Sequence, residues 1–99
     1  MKFSLCFTEE ASHTLKKLEH PAQAGLLKQV RKSLGYLQTN PRHPSLKTHP
    51  YGSMDHPFDP SQKVFEAYAQ NQTPGAYRVF WCYGPLKNEI TIIAITPHP

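Results

Sequence analysis

Between Asn40 and Gln62 the chain carries five of its ten prolines and three of its six histidines. Proline fixes φ and has no amide hydrogen, so this segment is excluded from helix and from central strand. It splits the 99 residues into a helix-forming half and a strand-forming half, in a length that suits one domain with one core. A loop this long inside a small domain is usually functional or mobile. Leu46, Tyr51, Met54 and Phe58 are its candidates for contact with the core, and it is expected to border the sheet face away from the helices.

Before this segment, residues 2–7 alternate, with Phe3, Leu5 and Phe7 on one side and Lys2, Ser4 and Cys6 on the other, which is a half-buried strand. Thr8 is a helix N-cap, and Glu9 and Glu10 suit a first helical turn. Ala11, Leu15 and Leu18 share a face of a helix expected to run to residue 19. Pro21 suits the first position of a second helix, whose stripe is Leu27, Val30, Leu34 and Leu37, and Asn40-Pro41 stops it. After the segment, strands are expected over 63–69, 76–83 and 89–96, joined by turns at Thr73-Pro74-Gly75 and Gly84-Pro85. The order β-α-α-β-β-β predicts an α+β fold: a mostly antiparallel four-stranded sheet with two helices on one face.

The net charge of +4 and pI of 9.2 suit nucleic acid or an acidic protein partner. Cys6 and Cys82 are too few for a disulfide framework, and both are expected to be reduced. The start MKFSLCFTEE turns acidic before an apolar signal segment develops, and no apolar run approaches the roughly 20 residues of a membrane span. A cytoplasmic protein without membrane attachment is expected.

Strand parity places a candidate site. With Phe65 and Ala67 inward, Glu66 and Tyr68 take the other face; with Val79, Trp81 and Tyr83 inward, so do Arg78, Phe80 and Cys82. A hairpin centred on Gln72 would set Glu66 opposite Arg78. The last strand, ITIIAI, is apolar on both faces, as a central strand is, and His98 follows it. Glu66, Arg78 and His98 are thus expected to converge, either as a cross-strand ion pair with a terminal histidine or as an anion site for phosphate esters.

The order of elements, the Leu46-Lys47 step after the prolines, and AYRVFW followed by ITIIAITPH resemble the RelE/ParE superfamily of bacterial toxins from type II toxin–antitoxin systems. The resemblance spans nearly the whole chain. It implies an antitoxin partner and, in the RelE-type branch, metal-independent cleavage of messenger RNA on the ribosome. By that likeness Arg78 stabilises the scissile phosphate, His98 and Glu66 are the acid–base candidates, and Lys47 flanks the site.

Cleavage by the RNA's own 2′-hydroxyl needs a base, a cation for the phosphorane-like charge and an acid for the leaving 5′-oxygen. Glu66 or His98 suits the base, Arg78 the cation and His98 the acid. Tyr68 and Phe80 are candidate stacking groups for bases, and Lys63 joins Lys47 as a candidate RNA contact. His43, His49 and His56 match no compact zinc spacing, so no metal and no cofactor are expected. Two alternatives stay open: a ParE-like inhibitor of DNA gyrase, because the strand with Glu66, Ala67 and Tyr68 lacks the basic cluster of some members, and a non-catalytic binding module.

Overall fold

The computed structural model describes residues 2–71 and 73–97. Its elements are β1 (Ser4–Phe7), α1 (Glu9–Lys17), α2 (Ala24–Thr39), β2 (His49–Pro50), β3 (Phe65–Tyr68), β4 (Tyr77–Tyr83) and β5 (Glu89–Pro97), with short 3-10 turns at Pro21–Gln23 and Pro44–Leu46. The sheet order is β1-β5-β4-β3-β2. β1 runs parallel to β5, and the other neighbours are antiparallel. The architecture is α+β, as the sequence predicts, with one strand more than expected.

That fifth strand lies inside the proline-rich segment. His49 pairs with Glu66 and Pro50 with Phe65, and the Tyr51 amide donates to the Val64 carbonyl at 2.8 Å. Proline is tolerated because β2 is a two-residue edge strand that needs few ladder donors. Pro21 also departs from expectation: it opens a separate 3-10 turn, and α2 begins at Ala24.

Thr8 joins the helices to the sheet. Its hydroxyl oxygen accepts from the Ala11 amide, capping α1, and donates to the Ile93 carbonyl at 2.6 Å. Ile93 is the extra residue of a β-bulge: Phe80 pairs with Ala94 while Trp81 pairs with Ile92. A bulge resets side-chain alternation. Hence Ile90, Ile92 and Ile95 all enter the core with Ala67, Val79 and Trp81, beneath Leu27, Val30, Leu34 and Leu37 of α2. One residue of α2 outside the apolar stripe is buried too: Ser33 donates to the Tyr68 carbonyl at 3.1 Å.

The loop covers part of the face away from the helices. Tyr51 packs on Phe80 with ring centroids 4.7 Å apart. His56 is buried; its Nδ1 accepts from the Phe58 and Asp59 amides, so its Nε2 carries the hydrogen and donates to the Tyr83 carbonyl at 2.8 Å. Phe80 is only 2% exposed. It presents no free ring face, which corrects the expectation that it serves as a stacking platform.

Cys6 and Cys82 are both free thiols. Cys82 is enclosed, and burial pushes its thiol up to about 11. Burial, then the charge of Glu89, raise that of Cys6. Because the thiolate is the reactive form, Cys82 in the native protein should resist alkylation at pH 8 and react at full speed only after denaturation, with Cys6 labelling first. Mass spectrometry of a timed iodoacetamide reaction checks this; equal native rates at both residues would contradict the packing of Cys82.

Candidate active site

The part of this face beside the loop is built from β2, β3 and the start of β4. Parity puts Glu66, Tyr68 and Arg78 there, as the sequence predicts, but the pairing differs by two residues: Tyr68 lies opposite Arg78, and Glu66 opposite Phe80. The β3–β4 hairpin is centred on Thr73 rather than Gln72. Moving a hairpin's centre by one residue shifts its pairs by two and leaves every side chain on its original face. The predicted convergence therefore survives as a diagonal contact.

Arg78 is 8% exposed and Glu66 4% exposed. The Arg78 guanidinium carbon lies 3.8 Å from the centre of the Tyr68 ring, a cation–π stack. Its Nη1 donates to the carbonyls of Ala76 (3.1 Å) and Gln70 (3.3 Å) at the mouth of the hairpin. Its Nε is 3.9 Å from Glu66 Oε2. That is close enough for charge attraction and too long for a hydrogen bond. Neither Nε nor Oε2 has a hydrogen-bond partner among the described residues, although both are buried. A buried charged pair normally completes its hydrogen bonds, because leaving them unmade is costly.

The other carboxylate oxygen is fully engaged. Glu66 Oε1 lies 2.6 Å from His49 Nε2, and His49 Nδ1 lies 3.2 Å from the Lys47 carbonyl. Both ring nitrogens thus face acceptors. A hydrogen on Nε2 donated to Oε1 accounts for the short contact. His49 also meets the Tyr68 ring edge-on, with centroids 6.0 Å apart. The side chain of His49 remains 44% exposed while that of Glu66 is 5% exposed, so the histidine roofs the carboxylate.

Lys47 stands in the left-handed region at φ 48°, which costs a non-glycine residue about 1 kcal/mol. Its carbonyl is what fixes the His49 ring. Lys47 itself is exposed. Lys63 is also exposed and lines a separate recess with Tyr51, His56 and Val64, so the structure does not bring it into the Glu66–Arg78 cluster. His98 lies outside the described residues.

Sequence reading missed His49 as a site residue. It gave His43, His49 and His56 only as a weak zinc set. Each has separate work: His43 stacks on Tyr36 at 3.9 Å, His56 holds the loop, and His49 binds Glu66. Among the described residues no three His, Cys, Asp or Glu side chains gather to hold a metal.

With this geometry in view, three solved structures match the chain over nearly its full length. A YoeB/ParE toxin from Agrobacterium tumefaciens superposes with a TM-score of 0.73 at 9% identity, covering 98% of this chain and 100% of that one. The fold is that of the RelE/ParE toxins. The YoeB dimer from Staphylococcus aureus gives a TM-score of 0.67 at 13% identity, with 100% of each chain covered. An archaeal RelE–RelB complex from Pyrococcus horikoshii OT3 gives 0.66 at 14%, covering 98% of this chain and 96% of the other. No protein-family profile and no curated protein sequence matches this one. On the RelE/ParE scaffold, then, this chain carries a Glu66–His49 couple beside a stacked arginine.

The stack is separable from the ion pair by mutation. Tyr68→Phe keeps the ring and should leave the melting temperature nearly unchanged. Tyr68→Ala removes it and should lower stability by about 1 kcal/mol, about 4–8 °C for a domain of this size. Thermal unfolding followed by circular dichroism measures both; equal melting temperatures would show that the stack contributes nothing.

Proposed function

We propose that the chain is the toxin of a toxin–antitoxin pair and acts as a metal-independent endoribonuclease on messenger RNA in the ribosome, thereby inhibiting translation. One observation carries this reading: the buried Arg78 Nε and Glu66 Oε2 face each other at 3.9 Å with no hydrogen-bond partner among the described residues. A purely structural ion pair gains by closing that gap. A site for a phosphodiester keeps a donor and an acceptor in reserve, the donor for a phosphate oxygen and the acceptor for the 2′-hydroxyl proton.

The geometry around Glu66 and Arg78 supports a role for each, and the resemblance to RelE-type toxins suggests the rest. Glu66 Oε2 is the base. His49, holding Oε1, positions the carboxylate. Arg78 stabilises charge developing on the phosphate, and its guanidinium is pre-oriented by Tyr68 and by the carbonyls of Gln70 and Ala76, so little reorganisation is needed during reaction. His98 is assigned as the acid for the leaving 5′-oxygen, with Lys47 and Lys63 as outer RNA contacts. Oε2 is shielded from solvent in the free chain, so a bound substrate has to move the side chains around it. That requirement favours a substrate already held in a fixed geometry, as messenger RNA is in the ribosome, over naked RNA.

The antitoxin partner is supported by the likeness to a RelE solved in complex with RelB, and a cytoplasmic location goes with ribosomal action. No helix among the described residues is long and apolar enough to cross a membrane.

The test is induced expression followed by mapping of messenger RNA ends on translating ribosomes. The wild-type chain should produce cuts inside reading frames. Arg78→Ala should lower cutting by about 100-fold or more, as loss of a charge-stabilising donor does. Intact transcripts together with DNA damage would overturn the nuclease reading in favour of gyrase inhibition. Intact transcripts and intact DNA would leave a binding module.

A further inference from the structure

Gln70 stands where β3 gives way to the hairpin turn, and both of its oxygens are engaged. The amides of Ala69 and Gln70 donate to one acceptor, the Tyr77 carbonyl, at 3.1 and 3.2 Å. Two residues thus face one, the pattern of a β-bulge. The Tyr77 amide donates to the side-chain oxygen of Gln70, Oε1, at 3.1 Å. The main-chain oxygen of Gln70 is turned to Arg78 and accepts from its Nη1 at 3.3 Å. One residue therefore ties down the start of β4 with its side chain and the arginine head with its backbone.

The two contacts depend on each other. A bulge displaces the ladder and re-aims the groups beside it, and a backbone amide left without an acceptor is costly. Here the Tyr77 amide finds its acceptor in a side chain, so the Gln70 carbonyl is free to serve Arg78. The Ala76 carbonyl, 3.1 Å from the same Nη1, belongs to the other arm of the hairpin. With the arms tied together at Tyr77, the two carbonyls hold Nη1 from both sides. Gripped at that end, the guanidinium stacks on the Tyr68 ring and presents Nε to Glu66.

We propose that the side chain of Gln70 is a positioning residue for Arg78: by accepting from the Tyr77 amide it sets the hairpin bulge, and with it the carbonyl that orients the guanidinium toward a bound phosphate. Its consequence for the reaction rests on the nuclease reading above; the hydrogen bonds do not. Gln70 acts through Arg78 and not on the substrate. Its removal leaves the arginine's charge in place and takes away its alignment, so the chemical step should slow more than binding weakens.

The chain has three arginines, and Arg31 and Arg42 are exposed. Protein labelled with nitrogen-15 therefore gives three side-chain Nε–H signals, and Arg78→Lys identifies the one from Arg78. The Tyr68 ring current should set that signal apart from the other two. Gln70→Met keeps the length of the side chain and removes its oxygen, whereas Gln70→Glu keeps an oxygen in the same place. In Gln70→Met the Arg78 signal should move toward those of the exposed arginines, and in Gln70→Glu it should stay. On programmed ribosomes, folded Gln70→Met should show kcat lower by about tenfold and KM within about twofold of the wild-type value. An Arg78 signal unmoved by Gln70→Met, or moved equally by Gln70→Glu, would overturn the proposal. So would wild-type cutting by Gln70→Met, or a fall in rate matched by an equal loss of folded protein. If the wild-type chain does not cut, the nuclease reading fails by itself, and the Arg78 signal of Gln70→Met still decides whether Gln70 positions the arginine.

Discussion

The buried carboxylate of Glu66 is the constraint around which the site is organised. A carboxylate in the middle of a sheet is costly unless charge and hydrogen bonds compensate it. Here compensation comes from two directions. His49 reaches Oε1 from the edge strand, and Arg78 faces Oε2 from the neighbouring strand. The first contact gives a proline-rich segment a reason to lie alongside β3, and the short strand His49–Pro50 is the backbone consequence. The second leaves an ion pair without its hydrogen bond. Tyr68 completes the arrangement by stacking on the guanidinium and meeting the imidazole. Four side chains from three strands therefore depend on one another, and the one unsatisfied junction among them is where the proposed chemistry would occur.

The rest of the fold serves to hold that junction still. Thr8 binds the bulge carbonyl of Ile93, so α1 and β5 fix each other. The bulge lets β5 bury apolar residues on the helix side along its whole length. His56 fastens the loop to the Tyr83 carbonyl, and Tyr51 closes over Phe80. Part of the face away from the helices thus becomes a second small core, and Glu66 and Arg78 lie beside it, nearly all of their own surface buried.

What could be read from the sequence was decided by period and parity. Alternation in 64–69 and 77–83 identified Glu66, Tyr68 and Arg78 as sharing a face, because parity survives an error of two residues in hairpin register. The helical stripe Leu27, Val30, Leu34 and Leu37 was equally plain. Three things were not legible. His49 sits in a segment with no periodicity, and its role arises from a two-residue strand whose partner is distant in sequence. The covering of Phe80 depends on where a loop folds back, which its own residues do not state. The bulge at Ile93 is hidden because ITIIAI reads as apolar on both faces whether or not a residue is skipped. All three are tertiary events in which local preference leaves several outcomes open.

Glu66→Gln tests the central claim most directly. The amide has nearly the shape of the carboxylate and can still accept from His49, but it cannot take the 2′-hydroxyl proton. The measurement is the cleavage rate of messenger RNA on programmed ribosomes by the purified variant, with its melting temperature beside that of the wild-type protein. If Glu66 is the base, cleavage falls by about 100-fold or more while the fold persists to a similar temperature. A folded Glu66→Gln protein that cuts at the wild-type rate would contradict the account and leave Glu66 as a structural partner of His49 and Arg78.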